Sequence, residues 1–450
     1  MSAKGILADL DEWRWRSNAY AWWVVIVLTL GLTLSLMDRM IIALMIGPIK
    51  HDLQLSDTQI SLLQGLAFTL LYVTAGLPLG RLADRRSRRN LGATSVVTWS
   101  LMTFLCGLTS SFGQLFAARL GVGVGEAGLS PAAVSLISDY FPKNKRARPL
   151  AFLSIGSTAG AGLAMMFGGA MVHALGATRT LHLPVVGLVK GWQAVFMLLG
   201  AFGVLFGAIF FTVREPLRRE LEAEHGASIA RVVQFLWSRR RFFVFQFVGP
   251  SLAVLTLIAY HSWFPTLFIR RFAWNSATTG LVYGGCIGVG GTAGILLAGL
   301  ASEKLSAKGS TDATLRVAMM AAFGAIAPMA VSPLMPTPWL VVVMLLLGVT
   351  FLVIPSSLAP AVLQSVCPNE IRGQVFAIYL LVMSTFGYAL GPLSVALVTD
   401  SLLHNETRLH ISLALVAIVC IPLSALCLAA ARRAYGACGS TNPTGAAPPA

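Results

Sequence analysis

Apolar residues along this chain come in stretches of about twenty, separated by short polar segments. In the first half the stretches cover residues 20–46, 58–79, 91–110, 114–137, 150–175 and 192–213. In the second half they cover 242–269, 279–300, 316–334, 339–366, 375–398 and 410–431. About twenty apolar residues at 1.5 Å each span a hydrocarbon core of roughly 30 Å. Lipid offers the backbone no hydrogen-bond partner, so each stretch is predicted to be a helix. The pattern therefore predicts an all-α membrane protein with twelve transmembrane helices.

The polar segments sort by charge. With the N-terminus in the cytoplasm, inside segments carry 25 Lys and Arg and outside loops carry 6, namely Lys50, Arg179, Lys190, Arg270, Arg271 and Arg408. This bias places both termini in the cytoplasm. The longest polar segment, 214–241, divides the chain six helices from six. The expected organisation is an N-terminal cytoplasmic segment (1–19), a first six-helix bundle (20–213), a central cytoplasmic loop (214–241), a second bundle (242–433) and a disordered tail (434–450). The halves repeat weakly: Phe141-Pro142 with Arg146 matches Cys367-Pro368 with Arg372 at the same offset. Parallel six-helix repeats are a mark of transporters, with a central binding cavity.

Composition then excludes other classes. Charged residues are 11% of the chain and the AVILMFWYC set is 56%; soluble domains carry about 25% charged residues. The net charge of +15 could suit nucleic acid, but the basic residues lie in loops between apolar runs, so no nucleic-acid partner is expected. The polar N-terminus is mixed in charge, with Asp9, Asp11 and Glu12 against Lys4, Arg14 and Arg16, and its following run is long, so no signal peptide is expected. No Cys/His cluster has metal-ligand spacing and no P-loop occurs, so neither a metal, a cofactor nor ATP hydrolysis is expected. No outside loop holds a cysteine, so no structural disulfide is expected.

Four ionisable residues remain at membrane depth: Asp38 and Arg39 in the first span, Arg119 and Glu126 in the fourth. Such groups are costly in lipid and mark function by default. Counting from the outer ends at 1.5 Å per residue, Arg119 lies roughly 8 Å deep, Asp38 roughly 12 Å and Glu126 roughly 18 Å. Arg119 and Glu126 are two turns apart and share a helix face. A carboxylate that trades an arginine for a proton is what proton coupling needs. Asp38 and Glu126 are therefore candidate proton carriers, with Arg39 and Arg119 as charge partners or head-group ligands. A static network holding the two helices together is the other reading, and Arg39 is open to snorkelling. In the second half, Tyr260, His261, Trp263, Tyr379 and Tyr388 are candidates for a cavity lining or for packing. Glycine runs such as Gly121 to Gly125 are read as close-packing devices.

Gly80-Arg81-Leu82-Ala83-Asp84-Arg85-Arg86-Ser87-Arg88-Arg89, between the second and third spans, resembles the signature loop of the major facilitator superfamily. Ser87 stands where that family usually has Gly. The resemblance implies two pseudo-symmetric six-helix bundles and a cytoplasmic latch of Gly80, Asp84, Arg85, Arg89 and Arg146. Asp38-Arg39, Arg119 through Glu126 to Pro131, and Ser138 to Pro142 resemble more narrowly the spinster subgroup. That implies a proton-coupled transporter of an amphipathic lipid, such as a sphingosine phosphate or lysophospholipid, with Asp38 and Glu126 carrying protons. The expected protein is a multi-pass inner-membrane monomer, not an enzyme. The alternative on the same fold is a proton-coupled exporter of drugs or small organic ions. A non-transporting receptor or scramblase is a third possibility.

Overall fold

The computed structural model describes residues 18–142, 145–183, 187–216, 218 and 228–439. The fold is almost wholly helical. The first stretch forms α1 (Asn18–Met40), which tightens into a 3₁₀ turn, Ile41–Leu44, and is followed by the short helix Ile46–Leu53. The second begins at Asp57–Ser61, passes through a π segment (Leu62–Leu66) and continues as α2 (Ala67–Arg85). Then come α3 (Arg88–Cys106), α4 (Phe112–Glu126), α5 (Leu129–Tyr140), α6 (Ala147–Leu175) and α7 (Gly191–Ile209). A two-stranded antiparallel hairpin, β1 (Thr180–Leu183) with β2 (Gly187–Lys190), joins α6 to α7, with Thr180 opposite Lys190.

The second half holds α8 (Ile229–Ser238), α9 (Arg240–Phe272), α10 (Ser276–Ala307) and α11 (Ala313–Val331). It continues with α12 (Pro338–Leu352), α13 (Ile354–Val366), α14 (Asn369–Ser384), α15 (Gly391–Leu397) and α16 (Leu409–Gly439). π segments at Thr385–Leu390 and Val398–Leu402 make α14 and α15 parts of one long span.

Eleven of the described helices are long and apolar enough to cross a membrane. The twelfth expected span is α3, which opens with Arg88, Arg89 and Asn90 and carries Thr94, Ser95, Thr98, Ser100 and Thr103. It packs against α4 and α7 and buries Ser95, Ser100 and Thr103, and a helix face set against protein needs no lipid-grade apolarity.

The chain clusters into two compact units. Unit 1 is Met1–Glu222 with Asn275–Gly288; unit 2 is Ala223–Trp274 with Val289–Ala450. The division falls inside the 214–241 connector, and the first part of α10 groups with unit 1. The connector is not all loop, because α8 lies within it. The last helix runs past residue 433, to Gly439. The N-terminal segment to residue 17, and the tail from 440, lie outside the described residues.

Breaks in the helices have local causes. Pro131 has no N–H for the carbonyl of Ala127, four residues earlier, so the fourth span parts at Ala127 and Gly128. Glu126 thereby ends α4. Glycine sets the depth at which α4 nests. A Cβ on Gly123 would stand 2.3 Å from the Phe68 carbonyl oxygen of α2, and one on Gly125 would stand 2.5 Å from the Trp99 nitrogen of α3.

Candidate functional site

The four deep ionisable residues lie within unit 1, at the junction of α1, α2, α3 and α4. Asp38 and Arg39 occupy the last turn of α1. All but Arg39 are almost completely buried: Asp38 is 1% exposed, Arg119 0% and Glu126 2%.

They divide into two groups. In the first, one carboxylate oxygen of Glu126, Oε2, accepts hydrogen bonds from Ser35 Oγ at 2.5 Å and Arg39 Nε at 2.7 Å, and forms an ion pair with Arg39 Nη2 at 2.5 Å. The other oxygen, Oε1, has no hydrogen-bond partner. Arg39 also lies over two aromatic faces of α2, 4.2 Å from the Phe68 ring centre and 4.9 Å from that of Tyr72. The two rings stack at 5.0 Å. Arg39 therefore does not snorkel; its stem and fork are held inside the unit by the aromatic pair and the carboxylate.

In the second group, both oxygens of Asp38 share the single hydroxyl proton of Thr103, at 2.7 and 2.8 Å. No guanidinium contacts this carboxylate among the described residues. Arg119, two turns from Glu126 as the spacing required, reaches neither carboxylate. Its Nη1 donates to the main-chain carbonyl of Asp38 at 3.2 Å, and its Nε and Nη2 have no hydrogen-bond partner. A cation at the C-terminal end of α1 complements the exposed carbonyls there.

The signature loop is held by residues that motif reading passed over. Arg88, counted among the orienting charges, is 2% exposed and bonds the Asp139 carboxylate of α5. It also donates to Glu215 Oε1 at 2.8 Å, Ser135 Oγ at 3.1 Å and the Pro216 carbonyl at 2.9 Å. Glu215 Oε2 accepts from the Arg89 N–H and the Ser87 hydroxyl, both at 2.8 Å. Burial acts to raise the Glu215 pKa, but these donors together hold it below the usual carboxylate value. Ser87, the departure from the family's Gly, caps the Asn90 N–H at the start of α3 and binds Glu215. Arg218 closes the other side by donating to the Ala83 and Arg86 carbonyls at the end of α2. The signal for this clamp was partial: Asp139 is the lone acid beside the basic segment that follows it, whereas Glu215 shares its segment with Glu220, Glu222 and Glu224.

The motif residues themselves are less engaged. Gly80 has open space beside it, and Arg85 is exposed at the end of α2. Arg89 acts through its backbone, while its side chain reaches Asn90. Arg146 donates to the Phe141 carbonyl in its own loop. The side chain of Asp84 lies outside the described residues.

In unit 2 the aromatic candidates separate. Tyr260 and Trp263 are fully enclosed. The Tyr260 hydroxyl donates at 2.6 Å to the Met329 carbonyl, which Pro333, lacking an N–H, leaves without its main-chain donor and which the Ser332 hydroxyl also bonds at 3.1 Å. Trp263 donates to the Pro392 carbonyl at 3.0 Å. Both are packing residues in this structure rather than a cavity wall. Tyr379 lies in the apolar core cluster with Phe247 and Val375. His261 is buried on α9, and Tyr388 is half-buried in the π segment.

Comparison with known proteins agrees with this architecture. The family model for the Major Facilitator Superfamily matches residues 28–392. An MFS-type efflux pump of Mycolicibacterium smegmatis is 28% identical over 411 residues, covering 89% of this chain and 90% of the pump. The protein spinster of Drosophila melanogaster is 27% identical over 242 residues, 52% of this chain and 38% of that protein. The crystal structure of a bacterial homolog to the human lysosomal transporter Spinster, inward-facing and unoccupied, superposes with a TM-score of 0.79. It is 24% identical and covers 96% of this chain and 100% of its own.

Proposed function

The chain belongs to the Major Facilitator Superfamily, and from that premise we propose that it is a proton-coupled secondary transporter of an amphipathic anion, a lysophospholipid or sphingosine-phosphate-like lipid. As a family member it is a multi-pass membrane transporter and not an enzyme. We place it in the inner membrane as a monomer, with both termini in the cytoplasm.

The one-sided Glu126–Arg39 pair carries this reading. Oε2 holds every donor and Oε1 holds none, so a proton has a vacant oxygen to occupy. Protonation removes the negative charge that fixes Arg39. The freed guanidinium can then bind an anionic head group in a bidentate way. Phe68 and Tyr72 keep it oriented meanwhile. Proton and anion thus compete for one site, and that competition biases the two access states.

Asp38 takes a different part. Protonating it breaks no ion pair, and the Thr103 hydroxyl can donate to the carboxylate or accept from the acid. Arg119 lies buried beside it with two unused donors. Such an arrangement stabilises the fold poorly, which favours a role in the cycle over a static brace.

Reconstitution tests the proposal. Proteoliposomes with wild-type protein should accumulate lysophospholipid under a proton gradient, and Glu126→Gln should not. Gradient-driven flux in Glu126→Gln with unchanged pH dependence would overturn it. The efflux pump similarity over 89% of the chain supports the second reading, a proton-coupled drug exporter. Thermal stabilisation by cationic drugs, with none by lysolipids, would select that reading.

A further inference from the structure

The connector helix α8 and the start of α9 belong to unit 2. Along α8, Val232, Phe235 and Leu236 join the core cluster of that unit, and Val232 is buried. The adjoining stripe, Ile229, Val233 and Trp237, recurs every four residues and stays exposed, Trp237 at 68%. Where α8 meets the first turns of α9 there is a cavity of about 480 Å³. Val233, Leu236, Trp237 and Val244 form part of its apolar wall, and Arg240 and Arg241 complete it.

Both arginines are exposed, and neither contacts an acid among the described residues. The Arg240 guanidinium stands 5.3 Å from the Trp237 ring centre. The level of this cavity in the membrane follows from length. α9 has 33 residues, roughly 50 Å at 1.5 Å each, which exceeds a hydrocarbon core of about 30 Å. Its first turn therefore reaches the membrane–water boundary, where tryptophan is favoured. A helix with one apolar side, lying beside such a boundary, is an interfacial helix.

We propose that this cavity binds one anionic phospholipid of the surrounding bilayer. An acyl chain lies against Val233, Leu236, Trp237 and Val244, and the phosphate sits between Arg240 and Arg241. The apolar wall does not suit a small soluble anion, and two unpaired arginines at the rim do not suit a neutral lipid. Arginine forks match phosphate geometry. This site is independent of the transported substrate, because it shares no residue with the Arg39–Glu126 pair.

The test is native mass spectrometry on the full-length protein in detergent, titrated with dioleoyl phosphatidylglycerol or dioleoyl phosphatidylcholine. The wild type should retain one phosphatidylglycerol with about a tenfold preference. R240Q/R241Q should lose the preference while keeping its thermal unfolding. V244W, which fills the cavity from an exposed position, should lower retention of both lipids. An undiminished preference in R240Q/R241Q overturns the proposal. So does unchanged retention in V244W, which decides the matter if the double variant does not fold. Displacement of phosphatidylglycerol by glycerol 3-phosphate at equal concentration also overturns it, since the acyl chain would then contribute nothing.

Discussion

Arg119 meets Asp38 through the main chain: its guanidinium bonds the Asp38 carbonyl at 3.2 Å and leaves the carboxylate to Thr103. The two residues are therefore coupled by position and not by an ion pair. The two carboxylates of the site thus hold different partners and respond differently to a proton.

Thr103→Val should expose that difference. It removes the sole donor, among the described residues, to a buried carboxylate, at a cost of about 1–3 kcal/mol if Asp38 stays ionised. The pH profile of transport should change, because both protonation forms of Asp38 lose their hydrogen bond to Thr103. Flux measured against pH in proteoliposomes checks this; a profile identical to wild type would show that the Thr103 bond is not part of coupling.

Glu126→Gln should keep the fold. Its amide oxygen can still accept from Ser35 and Arg39, so thermal unfolding should stay within a few degrees. Gradient-driven uptake should fall at least tenfold, while counterflow exchange of substrate persists. Loss of both activities would point to a structural role for Glu126.

Arg88→Gln should destabilise the protein far more than Arg85→Gln. Arg88 is buried with Asp139 and Glu215, and breaking a buried pair costs roughly 3–5 kcal/mol. Arg85 is exposed, and such a substitution is worth about 0.5 kcal/mol or less. Detergent-phase thermal unfolding of the two variants measures the gap.

The same clamp should weaken in acid. The folded pKa of Glu215 lies below its ordinary value of 4.5. Its contribution is therefore complete above that value and is lost as pH falls through the folded pKa. Unfolding temperatures of wild type and Glu215→Gln should be separate above pH 4.5, with wild type the more stable, and should converge as pH falls through the lowered folded pKa.

Gly123→Ala should force α4 away from α2, because the new methyl would meet the Phe68 carbonyl at 2.3 Å. The expected cost is about 1–3 kcal/mol. Since Phe68 also supports Arg39, uptake should fall along with stability. A fully active variant of wild-type stability would show that the helices can separate without disturbing the pair.

The many-span helical pattern was legible in sequence, because lipid leaves apolar chain one backbone solution and so writes length and hydropathy directly into structure. The four deep charges were legible for the same reason. Their pairing was not. Spacing on α4 aligned Arg119 with Glu126, but Arg39, the residue most open to another reading, took Glu126. Arg88 was hidden among five basic residues of one loop, since composition does not tell a buried arginine from an orienting one.

By itself the sequence determined a polytopic helical protein with ionisable groups at membrane depth in two of its spans. The tertiary structure decided who meets whom. Gly123 and Gly125 set how close α4 approaches its neighbours, and Pro131 sets where it stops. The proline break ends α4 at Glu126, and Ser35 with the Phe68–Tyr72 pair turns Arg39 toward that end. Hydrogen bonds reach only about 3 Å. Partner choice therefore depends on packing distances fixed jointly by four helices, which no single stretch of sequence encodes.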